Sequence, residues 1–168
     1  MTDIPSPNRR DLLTCLSGGA AVAFAALVLP AGRSTAAAKP GAFQLSDAQW
    51  RQRLSPEGYA VLRTAATERP YSSPLNGEHR SGVFACAGCA LPLFASASKF
   101  DSGTGWPSFY DHLPHAVAER SDTDFSMTRT EVHCARCAGH LGHVFNDGPR
   151  PTGLRYCMNG AALRFDAA

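Results

Sequence analysis

The sequence predicts a mainly β domain with short helices at its N-terminal end. Three observations carry this. Helix signals are confined to residues 46–66. From Pro70 onward, short apolar runs are punctuated by Gly, Pro, Ser, Asn and Asp. The cysteines are spaced so that they could staple a small sheet whose core is limited. The chain has 168 residues, enough for one domain and too few for two ordinary ones, and it contains no repeat.

The helices come first. Ser46 with Gln49 three residues on forms a capping box, so a short helix is expected from there. Ser55-Pro56 is a second cap, with proline at the first helical position. It predicts a helix from Pro56 to about Ala66, with Tyr59 and Leu62 on one face. Strands are expected at Val83-Phe84, Val117, Phe125–Met127, Val132, Val144-Phe145 and Leu163–Phe165. This alternation of short runs and turns predicts antiparallel pairing.

The first 38 residues read as an export signal that is cleaved off. Arg9-Arg10 is a twin-arginine pair, Leu16–Leu29 is uncharged and rich in Ala and Gly, and Ala36-Ala37-Ala38 offers a small-residue cleavage site. A retained membrane anchor is the rival reading; the apolar core is short for a span. Residues 39–45 then form a mature tail and 46–168 a single domain. The expected location is the bacterial periplasm by the twin-arginine route, with no stable membrane association after cleavage. The net charge of +2 is small and its basic residues are scattered, which argues against a nucleic-acid partner.

Of the six cysteines, Cys15 falls in the signal and four form the pairs Cys86-Ala-Gly-Cys89 and Cys134-Ala-Arg-Cys137. Two Cys-x-x-Cys knuckles supply the four soft thiolates of a tetrahedral structural zinc, with Gly88 and Gly139 expected to ease the bends. A twin-arginine substrate folds before export, so these thiols would meet an oxidising compartment already ligated. The rival is a redox dithiol of thioredoxin type, which the missing βαβ pattern argues against.

Cys157 is left without a partner. If Arg155-Tyr156-Cys157-Met158-Asn159 is a strand, Arg155, Cys157 and Asn159 share one face and Tyr156 and Met158 the other. His143, Phe145 and Asp147 share a face in the same way. Cys157 beside a guanidinium reads as a nucleophile whose thiolate Arg155 favours, with a histidine to move a proton. Without such neighbours a cysteine in a strand reads as a small buried hydrophobe. His140 and His143 could also be metal ligands, although four cysteines complete a shell. His79, His112, His115 and His133 read as ordinary surface or loop residues. Gly103-Thr104-Gly105-Trp106-Pro107-Ser108-Phe109 predicts an irregular loop presenting one indole, suited to covering a small apolar group or to serving as core.

In order along the chain stand Thr67-Glu68-Arg69-Pro70, Ser73-Pro74-Leu75, the first knuckle, Lys99–Gly103 with Gly105–Phe109, the second knuckle, Gly139–Phe145 with Asp147-Gly148-Pro149, and Thr152–Cys157 with Asn159. Together these resemble the B-type methionine sulfoxide reductases, from about Ser46 to Phe165. The resemblance implies two packed antiparallel sheets with N-terminal helices and a zinc held by Cys86, Cys89, Cys134 and Cys137 away from the chemistry. It implies reduction of the R epimer of methionine sulfoxide in oxidised proteins or peptides. Cys157 would attack, and Trp106, His143 and Phe145 would line the pocket for the substrate methyl group. Arg155 would favour the thiolate, while His140, His143, Asp147 and Asn159 would hold the polar side. Many family members carry a second, resolving cysteine where this chain has Thr104. With the knuckle thiols occupied, regeneration is therefore expected from an external thiol, thioredoxin-like or small. Two other functions remain open on the residues alone: a non-enzymatic zinc-binding interaction module, and a thiol–disulfide oxidoreductase using a knuckle pair.

Overall fold

The computed structural model of the chain describes residues 43–123 and 128–168. The expected export signal, most of the expected tail and the strand expected at Phe125–Met127 lie outside the described residues. Among the described residues no helix is long and apolar enough to cross a membrane.

Helix α1 (Asp47–Arg53) begins at the expected capping box, with Ser46 and Gln49 bonding each other's backbone reciprocally. Helix α2 (Pro56–Thr64) is capped by the Ser55 side chain on Gly58 N. It stops two residues short of the expected Ala66 because Ala65 takes a left-handed conformation, φ 56°. The two helices bury Trp50, Val61 and Leu62 in the same core as the strands.

The strands are β1 (Gly82–Cys86), β2 (Pro92–Ala95), β3 (Lys99–Phe100), β4 (Ser108–Phe109), β5 (Val117–Asp122), β6 (Arg129–Cys134), β7 (His140–Phe145), β8 (Arg155–Met158) and β9 (Leu163–Ala167). They form two antiparallel sheets, one ordered β2-β1-β9 and the other β3-β4-β8-β7-β6-β5. The sheets meet through aromatic rings. Phe109 of the larger sheet stacks on Phe94 at 4.4 Å and meets Phe84 edge-on at 5.0 Å. Offset and edge contacts of this kind are the favoured aromatic geometries.

Register decides what the larger sheet offers to solvent. Ser108 pairs with Cys157, Cys157 with His143, His143 with Glu131, and Glu131 with Arg120. Directly paired residues point to the same face of a sheet. One polar face therefore runs unbroken across β4, β8, β7, β6 and β5. The opposite face carries Phe109, Tyr156 and Val132 into the core.

Candidate active site and metal centre

Each cysteine knuckle closes a hairpin. In the β1–β2 turn Ala90 N donates to Cys86 O, and in the β6–β7 turn Ala138 N donates to Cys134 O. The left-handed residues are Ala90 (φ 60°) and Ala138 (φ 55°), at the same offset in both turns. The glycines do not relieve the bends as expected. They admit the helices instead: a methyl on Gly88 would press on Trp50, and one on Gly139 would lie 2.7 Å from the Leu62 side chain.

The four sulfurs all lie within 4.8 Å of one another, and all four residues are buried. Sγ–Sγ is 3.7 Å for Cys86–Cys137 and 3.4 Å for Cys89–Cys134. A tetrahedral zinc with Zn–S bonds of about 2.3 Å requires sulfurs about 3.8 Å apart. The cluster thus fits a metal ion, and no pair is at disulfide length. Mutual sulfur hydrogen bonds push the Cys86 and Cys134 thiols up and hold Cys89 and Cys137 down. Thiolates this crowded require a cation among them. One knuckle belongs to each sheet, so a bound ion ties the two sheets together.

Cys157 lies at the floor of a cavity of about 150 Å³, lined by Thr67, Trp106, Arg129, Gly142, His143, Phe145 and Asn159. Gly142 is required there, because a Cβ at that position would come within 2.1 Å of the Cys157 carbonyl oxygen. Trp106 is oriented by its indole N–H, which donates to Glu68 O at 3.2 Å. The His143 ring is fixed by Asp122, Nε2 to Oδ2 at 2.8 Å, and Asp122 is itself paired with Arg129 at 2.7 Å. The carboxylate selects the tautomer with the proton on Nε2.

Several expected residues are placed differently. Arg155 does share a face with Cys157, but its guanidinium makes a bidentate pair with Asp147, 2.8 Å on both arms, and stacks on Phe145 at 4.3 Å. Neither Arg155 nor Asp147 lines the cavity. Burial raises the Cys157 thiol; Thr104, Arg155 and Ser108 pull it down but do not outweigh burial. Arg155 does favour the thiolate as expected, but desolvation of the thiolate is the larger effect.

His140 is buried behind the cavity, not in it. Its Nδ1 meets Glu131 Oε1 at 2.7 Å, and Glu131 also pairs with Arg120. Burial lowers the His140 pKa despite that carboxylate. His140 lines a larger polar cavity of about 540 Å³ that adjoins the first through Thr67, Arg129 and His143. Asn159 reaches the active cavity, yet its amide is committed to backbone. Oδ1 accepts from Glu68 N and Nδ2 donates to Leu141 O, both at 3.0 Å.

The SelR domain family model matches residues 54–167, which include the four clustered cysteines and every residue lining the Cys157 cavity. Proteins named peptide methionine sulfoxide reductase MsrB are close relatives. That of Thiobacillus denitrificans is 58% identical over 121 residues, covering 71% of this chain and 92% of that protein. That of Bradyrhizobium diazoefficiens is 57% identical over 122 residues, 72% of this chain and 88% of that protein. That of Leifsonia xyli is 56% identical over 129 residues, 74% and 93%. The chain belongs to the MsrB family.

Within this MsrB-family site the sequence reasoning missed four contributors. Arg129 and Thr67 line the cavity, and Asp122 orients His143. Glu68 is a hub: its carbonyl holds Trp106, its amide holds Asn159, and its buried carboxylate accepts from Gly160 N and Ala161 N at 2.6 and 2.8 Å. Period-two alternation in Arg129-Thr130-Glu131 was the available signal for Arg129. The role of Glu68 depends on contacts with Trp106 and with Asn159, Gly160 and Ala161 after β8, which no local pattern encodes.

Proposed function

We propose that this chain reduces methionine sulfoxide in proteins, acting on the R epimer. The observation that carries the reading is Cys157 at the floor of a small cavity walled by Trp106, Phe145 and His143. An aromatic wall suits the substrate methyl group, and a histidine at the same cavity suits the sulfoxide oxygen. The Cys157 sulfur attacks the sulfoxide sulfur, and the oxygen takes up a proton. The S–O oxygen passes to Cys157, giving a sulfenic acid, and methionine leaves as the thioether. Two electrons and two protons from an external thiol then return Cys157 to the thiol with loss of water. Thr104, not a thiol, is the group beside the nucleophile, which supports an external reductant.

The test is turnover of each methionine sulfoxide epimer with dithiothreitol. Reduction of the S epimer alone, or of neither, overturns the assignment. Trp106→Ala is expected to lower kcat/KM about tenfold or more, because the methyl group loses its wall. A fall in Tm with unchanged kcat/KM would make Trp106 a core residue only.

The metal is proposed to be zinc, supported by four thiolates in tetrahedral spacing. Burial of the same sulfurs argues against the dithiol reading, since a partner disulfide could not reach Cys86. Export to the periplasm is proposed from Arg9-Arg10 and Ala36–Ala38. Changing both arginines to lysine should trap uncut precursor in the cytosol. Native protein found there uncut would refute the routing.

A further inference from the structure

Thr104 occupies the position beside the nucleophile, and the structure surrounds it with hydroxyls that the proposed reaction has not used. Thr104 Oγ1 lies 3.8 Å from Cys157 Sγ and 2.8 Å from Ser102 Oγ. Ser102 Oγ lies 2.7 Å from Ser108 Oγ, and Ser108 Oγ donates to Trp106 O at 3.1 Å. Ser108 is fully buried and sits directly across the strand from Cys157. The loop is clamped, so these distances are maintained. Gly103 N donates to Asp101, the Tyr71 hydroxyl donates to Gly103 O, and Tyr71 N donates to Gly105 O.

We propose that Thr104 is a hydrogen-bond donor to the Cys157 thiolate, held to that task by a single file of hydroxyls through Ser102 and Ser108. The inference rests on Cys157 being the nucleophile. Each hydroxyl has one hydrogen and can accept from its neighbour. With Cys157 as the thiol, S–H points to Thr104, Thr104 to Ser102, Ser102 to Ser108, and Ser108 to Trp106 O. When the sulfur gives up its proton, all three hydroxyls rotate. Ser108 then points to Ser102, Ser102 to Thr104, and Thr104 to the sulfur. No covalent bond changes in the chain, and no proton leaves through it, because its far end is buried. Successive donors polarise one another, so Thr104 becomes a stronger donor than an isolated hydroxyl. On this reading Thr104 acts before sulfoxide attack, while the sulfur is losing its proton.

The other groups facing Cys157 are Arg155, paired with Asp147, on its own strand; His143, backed by Asp122, on β7; and Arg129 across the cavity. The 102–104 loop contributes the hydroxyls of Ser102 and Thr104, and β4 contributes Ser108, which lies across the strand from Cys157 and also favours the thiolate directly. Changing Thr104 or Ser102 leaves all these charges in place.

The test is alkylation by iodoacetamide of the full chain without sulfoxide, across pH, with Cys157 followed by peptide mass spectrometry. Thr104→Val is expected to alkylate about fivefold more slowly at neutral pH, with its pH midpoint moved upward. Thr104→Ser is expected to restore both. Ser102→Ala, which keeps Thr104 but removes its donor, is expected to fall between. A Thr104→Val midpoint equal to that of the parent overturns the donor role. A Thr104→Ser profile as slow as that of Thr104→Val shows that methyl packing matters and overturns it too. A Ser102→Ala profile identical to the parent overturns the single file, and this variant also decides the matter if Thr104→Val does not fold. Because no sulfoxide is used, loss of the proposed reductase activity would leave this result standing, and the reverse also holds.

Discussion

Cys157→Ser is expected to abolish methionine sulfoxide reduction, by about a thousandfold or more, while metal content and Tm stay at parent values. The size follows from the chemistry of the atom exchanged. A serine hydroxyl is un-ionised at neutral pH and is a hard oxygen nucleophile, whereas sulfur is intrinsically reactive and gives up its proton far more readily. No other described thiol can substitute, because the remaining four are buried in the metal cluster. The exchange is also structurally mild. Cys157 is only partly buried, its neighbours Thr104 and Ser108 are hydroxyls, and a serine Oγ can join their file. Stability should change by less than about 1 kcal/mol. The measurement is turnover with dithiothreitol beside a melting curve and zinc analysis. Turnover within tenfold of the parent would move the chemistry to another residue.

The environment of that thiol bears on when it becomes reactive. Burial raises it, and the flanking guanidinium is bound to Asp147. A raised thiol is mostly protonated in the free protein at neutral pH. Its ionisation therefore gains from groups that act at the moment of attack: the Thr104 donor, and a proton acceptor at the cavity such as His143. This arrangement spares the thiol from indiscriminate oxidation, since the thiolate is the form that oxidants attack.

How much of this was legible in the sequence depended on the range of each interaction. The helix caps at Ser46 and Ser55 are local, and both formed where the residues indicated. The alternation in Arg155–Met158 is local too, and β8 buries Tyr156 and Met158 as expected. Strands β3 and β4 escaped notice because each is only two residues long, held by its neighbours and not by its own pattern. Strand β2 begins at a proline, which reads as a turn. At the site, residue types were readable but partners were not. Arg155 beside Cys157 suggested a cation for the thiolate; the cross-loop carboxylate of Asp147 that captures it is eight positions away in sequence. Likewise, the reach of Asp122 to His143 depends on β5, β6 and β7 pairing in register.

Removing the metal is expected to unfold the domain, not merely loosen it. A structural zinc in a four-thiolate site contributes about 10–16 kcal/mol in small zinc domains. A domain of this size is stable by only about 5–15 kcal/mol in total. The loss is therefore comparable to the whole margin. Geometry makes it worse than a local defect. Cys86 and Cys89 close the turn of the three-stranded sheet, and Cys134 and Cys137 close the turn of the six-stranded one. Without a cation, four sulfurs within 4.8 Å must either hold protons or repel, and the junction between the sheets opens. Trp50 of α1 and Leu62 of α2 pack over the same knuckles at Gly88 and Gly139, so the helices lose their seat as well. Cys86→Ser should give insoluble or metal-free protein, and a strong chelator should erase the folded circular-dichroism signal of the parent. Both effects should track metal content measured on the same samples. A Cys86→Ser protein that is soluble, metal-free and fully active would show that the cluster does not hold the fold. Active-site residues such as Cys157 and Trp106 would then depend on the aromatic contacts between the sheets, led by Phe94 stacked on Phe109.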